Sequence, residues 1–573
     1  MNDLSDAVEQ LTQTVTDLQR RVSALEASPP AATRLPAPPT PLTPVLLRAS
    51  LSTASESRVF SVLGQAMLGI AGAYLLRAFA ESTALPRLAV IAVSIVYAFL
   101  WLVPAARAPI QAWFATVAWS LTSVLILVPM LWELTLRFRM LSSAVTAAIL
   151  CAFVIAASAL AWKRHFAVVV GITDAAASLG AVLLAVASRD MTPFLLALLA
   201  MAIASEIAAA CRRSLRVRPL VAAAADVAVF GLIWVYSGSA GTHPDYPAIG
   251  APLLLFFAPA LLCIYGASAA AQTMLLRRGI SFFETAQALA AALLTVWAVL
   301  LFWPEHGAMV LGVLCLIASA AGYALAFAWF GRVHALRNYH VYATGSLALL
   351  LAGCFLSLPP GWLPLCTGIA AAACVGLAWR GAQATLQFHG LALLAAAAFS
   401  SGLLLYSGRA LVGASPAAPG WMVSLVCVFA ILCYAGVAGS ARSGVDPWWR
   451  PMLRLLFAGL ALAASVALLV WILVRVTAVG VAPGVEHVAV IRTLVGCAAA
   501  LALAWCGSRW RRTELVWLAW AVLAFTAFKL LFEDLRHGHL GFTAASIFLY
   551  AVTLLLIPRL LHRRSKTARR SAD

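Results

Sequence analysis

Asp174, Glu206 and Asp226 are the side chains in this sequence whose type and placement could do chemistry. They stand in "GITDAAASLG", "AIASEIAAA" and "AAAADVAVF", within three consecutive apolar runs. Acids inside such runs are expensive to bury, and for that reason they are functional candidates. Asp174 falls eight residues past Phe166 and Asp226 eight past Arg218, about 12 Å along a helix rising 1.5 Å per residue. Glu206 falls six residues before Arg212, about 9 Å from the same edge. Glu284, in "SFFETAQ", enters from that edge at a shallower level. Carboxylates at one level in neighbouring helices could bind a cation or relay protons. The competing reading is packing, with the acids protonated or paired to the arginine cluster at 212–218.

Arg492, a few residues inside another apolar run, would suit an anionic group. Pairing with Glu486 or with a backbone carbonyl is the competing explanation. Three further pairs stand four residues apart where apolar runs end: Arg77 with Glu81, Glu133 with Arg137, and Lys529 with Glu533. They are expected as ion pairs on the outer rim, Lys529 snorkelling to the surface. Loops on that side also set histidine beside acid: His243 with Asp245, Glu305 with His306, Glu486 with His487, and Asp534 near His537 and His539. Imidazole with carboxylate can hold zinc. The four loops need not converge, and solvated loop residues explain them, so no metal site is expected. The sequence holds no nucleophile elbow, H-E-x-x-H, Walker A or glycine-rich dinucleotide loop. Neither an enzyme nor a cofactor is expected.

The elements that must carry these residues follow from composition. Of the 573 residues, 63% are hydrophobic and only 10% charged, with a mean hydropathy of +0.96. A soluble chain would carry about a quarter charged residues. Beyond residue 58 the apolar residues come in repeated runs near twenty residues, the length a helix needs to cross a bilayer. The expected fold is all-α, a polytopic bundle of about eighteen transmembrane helices. The net charge of +18 would suggest nucleic acid in a soluble chain. Here most Lys and Arg gather in alternate loops, as in "KRH" (163–165), "RWRR" (509–512) and the tail "HRRSKTARR", which the positive-inside rule explains. An even number of spans places both termini in the cytoplasm, and no nucleic-acid partner is expected. Scarce lysine among abundant alanine points to a GC-rich bacterial genome, hence to the bacterial inner membrane. The eleven cysteines lie in apolar runs without a C-x-x-C pair, so neither a disulfide framework nor a metal knuckle is indicated. The polar, acidic N-terminus has no signal-peptide pattern.

Four segments result. Residues 1–28 carry an unbroken heptad, with Val8, Val15 and Val22 at a and Leu4, Leu11, Leu18 and Leu25 at d. That choice favours a parallel two-stranded coil, hence a homodimer through residues 4–25. A lone amphipathic helix is the alternative. Residues 29–58 form a linker that opens proline-rich and extended. The membrane domain covers 59–562, and 563–573 form a basic cytoplasmic tail. A faint repeat runs through the membrane domain. "ALAWKR" (159–164), "AFAWFGR" (326–332), "GLAWRG" (376–381) and "ALAWCGSR" (502–509) each put a tryptophan before a basic residue at a span end.

With these features, "LGQAMLGIAGAYLLRAFAESTALP" (63–86) and "AFKLLFEDLRHGHLGFTAASIFLYAVTLLL" (527–556) resemble the first and last spans of a bacterial family. It is the domain of unknown function 2339 family of membrane proteins, whose members tend to be longer. The resemblance implies location and architecture, and it carries over no catalytic residue. The sequence therefore leaves two functions standing. One is a cation- or proton-coupled transporter or flippase; the other is a non-catalytic envelope scaffold or sensor that oligomerises through its coil.

Overall fold

A computed structural model describes Thr16, Gln19, Ala78 and residues 59–75, 87–109, 111–163, 166–213, 215–238, 245–332, 335–381, 383–412, 416–439, 449–477, 484–534 and 540–570. The heptads, the proline-rich linker, Arg77, Glu81, His243, His537 and His539 lie outside the described residues.

Among the described residues all regular structure is helical. Sixteen helices are long and apolar enough to cross a membrane, or seventeen if one bent pair counts as a single crossing. The chain is a multispanning helical membrane protein. Its outer faces stay apolar, with Leu179, Phe230, Leu293 and Phe548 among many large side chains left exposed. Lipid is as apolar as these side chains, so leaving them on the outside carries no penalty.

The chain divides into two compact units, residues 1–127 and 128–573. The first contains α1 (residues 59–75), α2 (Arg87–Leu100), α3 (Leu102–Arg107) and most of α4 (Trp113–Trp132). Gly69 of α1 faces the Trp101 indole so closely that a Cβ would stand 2.4 Å from the ring. The Tyr97 hydroxyl donates to the Gly69 carbonyl at 3.1 Å, and Ser123 Oγ to Ala98 O at 2.6 Å.

The second unit continues with α5 (Ser143–Ala161), α6 (Phe166–Ser188), α7 (Met191–Ala210), α8 (Arg218–Tyr236), α9 (Ala251–Ala270) and α10 (Phe282–Phe302). Next come α11 (Gly307–Ala324), α12 (Leu336–Ser357), α13 (Leu363–Gly381), α14 (Ala384–Ser400) and α15 (Leu403–Leu411). Last are α16 (Trp421–Gly439), α17 (Trp449–Thr477), α18 (Val485–Trp510), α19 (Thr513–Lys529) and α20 (Leu540–Arg570). The closest hairpins of sequence neighbours are α11–α12, α13–α14, α18–α19 and α9–α10, and α13 with α16, α17 with α19 and α18 with α20 add contacts between hairpins. The α11–α12 hairpin is tightest where Gly312 meets Gly353, since a Cβ on Gly353 would stand 2.9 Å from Gly312 O. Small residues allow this approach, which is how dispersion holds helices together in lipid.

Three local devices set the helix ends. The first is a wide π turn at Glu133–Arg137, Ala271–Leu275, Leu325–Phe330 and Leu530–Asp534. Each inserts a residue relative to an α-helix and turns the side chains that follow. The second is a left-handed residue after a helix, normally glycine because its φ is positive. Among the described residues the non-glycine positions with positive φ are all arginines: Arg139, Arg189, Arg212, Arg277 and Arg511. The third is a break. The span expected over 385–407 is α14 and α15, bent by 67° around Gly402 at φ +73°. The periodicity of the apolar run is continuous there, so only the backbone shows the interruption.

The four repeat tryptophans, Trp162, Trp329, Trp379 and Trp505, are all exposed on the outside of the bundle. That suits interfacial anchoring. Helix α20 runs on to Arg570, so the basic tail continues the last span as helix.

Candidate functional site

Two polar networks occupy the second unit, at different helix ends. The first is built on Arg218, at the start of α8. Glu206, in the last turns of α7, takes the Arg218 guanidinium with both oxygens, from Nε at 2.6 Å and Nη2 at 2.5 Å. Arg218 Nη1 reaches Glu284 at 3.4 Å. Ser268 of α9 donates a short bond to Glu206 Oε2 at 2.5 Å, and Gln272 of the following π turn donates to Ser268 Oγ at 3.2 Å. Glu284 closes a capping box at the N-terminus of α10, accepting from Ser281 N at 2.7 Å while Glu284 N donates to Ser281 Oγ. Phe283 lies under the Arg218 guanidinium at 4.9 Å. Glu206 and Glu284 are both buried.

One turn further along the same seam, Gln287 Nε2 donates to both oxygens of Asp226 at 2.9 Å. Tyr265 stands within electrostatic reach of Asp226, Glu206 and Arg218, and its buried hydroxyl has no partner among the described residues. Asp174 does not join. It is 2% exposed within α6, and its Oδ1 has no hydrogen-bond partner among the described residues. The candidate acids therefore separate into a pair bound to Arg218, which is the pairing with the 212–218 arginines that the packing reading expected, a Gln287-bound acid and an isolated one. Equal depth left the direction each side chain faces undetermined, and facing decides convergence.

The second network corrects the expected rim. Lys529 does not snorkel outward; it is 5% exposed, on the face of α19 that packs against α18. Its Nζ donates to Ala489 O and to Thr493 Oγ1, the latter at 2.9 Å. The π turn after α19 turns Glu533 inward, where Oε1 takes Arg492 Nη1 at 2.5 Å and Oε2 lies 3.8 Å from Lys529. Arg492 also donates from Nε to Ala410 O at 2.7 Å and from Nη2 to Arg409 O at 3.4 Å. Those carbonyls belong to the last turn of α15, the second half of the broken span. A helix end leaves its last carbonyls without intrahelical donors, and a guanidinium satisfies them. Arg492 thus holds backbone carbonyls, one of the partners expected for it, and also meets Glu533. Beside this network lies a cavity of about 250 Å³, mostly apolar, with Arg492, Lys529 and Thr526 in its wall.

No family model, curated protein or solved structure matches the chain.

Among the described residues no cluster of His, Cys, Asp and Glu is arranged to hold a metal ion. His306 and Glu305 approach only to 3.9 Å, both exposed. Glu133 and Arg137 bracket the π turn after α4.

Among the buried acids, bases and histidines, three were not singled out from the sequence. His389 of α14 is 3% exposed and bonds the Tyr323 hydroxyl of α11 at 3.0 Å. It is the one histidine deep in an apolar run, "LQFHGLALL", which was the available signal. Glu514 and Arg454 are buried too. Glu514 meets Arg512 at 3.7 Å, and Arg512 donates to Ala438 O. Both acids and bases there stand at run edges, where a solvated residue is the ordinary expectation.

Proposed function

We propose that this multispanning protein is a proton- or cation-coupled transporter or flippase of the bacterial cytoplasmic membrane, with both termini in the cytoplasm. One observation carries the reading. Asp174 and Asp226 lie within membrane-spanning helices, and among the described residues no cation pairs with either. An ionised carboxylate at such depth costs several kcal/mol unless a proton or a cation neutralises it. Such acids are the usual parts of a proton relay or a cation site. The broken span supports the same reading, because half-helix ends at membrane depth are where transporters hold ions and substrates. The basic-residue asymmetry supports the orientation. Kinship with the domain of unknown function 2339 family belongs to this proposal, on the strength of the first and last spans.

The test is thermal stability of the purified protein in detergent, titrated with sodium and across about pH 5–8. Wild type is expected to respond, because a bound ion stabilises the native state by about 2.7 kcal/mol at a hundredfold excess over Kd. Asp174→Asn and Asp226→Asn should keep the fold and lose the response. A wild type indifferent to both sodium and pH would remove the transport reading. A second reading would then stand, a scaffold joined through residues 4–25, on the observation of the unbroken Val and Leu heptad. Orientation is tested separately. A reporter active only in the cytoplasm should work after Arg570 and fail in the loop at 241–247.

A further inference from the structure

A second cavity, of about 310 Å³, lies beside the Arg218 network and is lined by Ala209, Arg212, Leu215, Arg218, Gln272 and Arg278. It opens where α7 ends, α8 begins and the π turn after α9 finishes, so it belongs to helix ends and not to mid-span. Three guanidiniums on one cavity require a reason, since like charges repel at close range.

Their situations differ. Arg218 is neutralised from behind by Glu206 and Glu284, neither of which lines the cavity. Arg212 and Arg278 have no carboxylate partner among the described residues. Arg278 gives one donor, Nη1, to Ala209 O at 3.2 Å, which leaves the rest of its fork unused. Its backbone is clamped on both sides: Arg278 N donates to Gln272 O at 2.9 Å, and Asn338 Nδ2 donates to Arg278 O at 3.0 Å. Asn338 also accepts from Ile280 N at 2.9 Å, so a buried side chain of α12 holds this loop in place. Arg212 sits at φ +62°, a position that glycine normally fills. Two loops thus bring un-neutralised guanidiniums to the cavity, Arg278 on a clamped backbone and Arg212 in an unfavourable conformation.

We propose that this cavity binds a phosphate group carried on an ester. Guanidinium forks match phosphate oxygens bidentately, and a fixed backbone lowers the entropy lost on binding. The cavity has room for the phosphate and for part of the group attached to it, and Ala209 and Leu215 offer that group an apolar wall. An anionic phospholipid headgroup and a soluble phosphate monoester share this chemistry. Both meet a cavity at helix ends, and basic pockets between spans are a known form of headgroup site. The inference is independent of whether anything is transported.

The experiment uses the full chain in a phosphate-free maltoside detergent. One arm adds inorganic phosphate or glycerol 3-phosphate, and the other adds phosphatidylglycerol against phosphatidylcholine. Thermal stability and binding are followed for wild type, Arg212→Gln, the double variant Arg212→Gln/Arg278→Gln, and Arg216→Gln. Arg216 is exposed in the same loop and does not line the cavity, so it controls for loop charge. Wild type and Arg216→Gln should be stabilised by at least one probe. Arg212→Gln, whose side chain is exposed and structurally dispensable, should weaken that response about tenfold, and the double variant further. A response to the soluble esters alone identifies a soluble ligand, and a response to phosphatidylglycerol alone identifies a lipid. The proposal is overturned if no probe stabilises wild type, or if Arg212→Gln responds as wild type does in both arms.

Discussion

The Arg218 and Arg492 networks solve opposite problems. Around Arg218 two acids share one guanidinium. Around Glu533 two basic side chains share one carboxylate. The acids of the first network take further donors, the Ser268 hydroxyl and the Ser281 N–H at the N-terminus of α10. Arg492 in the second takes further acceptors, the carbonyls of Arg409 and Ala410 at the C-terminus of α15. The helix dipole favours Glu284 at the N-terminus of α10 and Arg492 at the C-terminus of α15. Only the second draws on the broken span, through the C-terminal carbonyls of its short second half, α15.

The largest effects should come from removing the central arginines. Arg218→Met strands two buried carboxylates and is expected to cost about 3–5 kcal/mol by thermal unfolding in detergent. Arg492→Met leaves Glu533 to Lys529 but orphans the Arg409 and Ala410 carbonyls, each worth about 1–3 kcal/mol. The two losses should differ with pH. Without Arg218 the two buried carboxylates lose the partner they share, and protons can neutralise them, so acid should recover much of the loss. Without Arg492 the Lys529–Glu533 pair remains, and acid should recover nothing. Identical pH behaviour would break the comparison.

A smaller effect tests the helix end. Gly402→Val forces a branched side chain into a left-handed backbone, a strain of about 1–3 kcal/mol. Because α15 carries the carbonyls that hold Arg492, the substitution should also expose Arg492 to solvent labelling. Labelling unchanged from wild type would mean that the break and the network are unrelated. Gly353→Leu, far in sequence from both networks, should destabilise by a similar amount through overpacking at Gly312 and leave pH dependence untouched.

The smallest effect should be Ser268→Ala. It removes one of several donors to Glu206, and single hydrogen bonds in membranes average roughly 0.6 kcal/mol. A loss comparable with Arg218→Met would show that the short Ser268 bond, and not the guanidinium, holds Glu206 in place.

The helical class, the membrane setting, the approximate spans and the placing of acids and Arg492 at membrane depth were legible without coordinates. All are local properties, since a run near twenty apolar residues has one stable form in lipid and a charge within it is conspicuous. The i,i+4 spacing of Lys529 and Glu533 was legible too, for the same reason. What each charge faces was settled only by tertiary packing. Glu206 meets an arginine 12 residues away, Arg218 an acid 66 away, and Arg492 an acid 41 away and carbonyls 82 and 83 away. A hydropathy run gives depth along a helix and says little about rotation around it when nearly every residue is apolar. In lipid both faces can be greasy, so no amphipathic stripe marks which side turns inward. The break at 401–402 was hidden likewise, because α14 and α15 are apolar on either side of it. The packing of α18 against α19 turned Lys529 into the bundle and not toward the rim, where its position in the chain alone would have placed it.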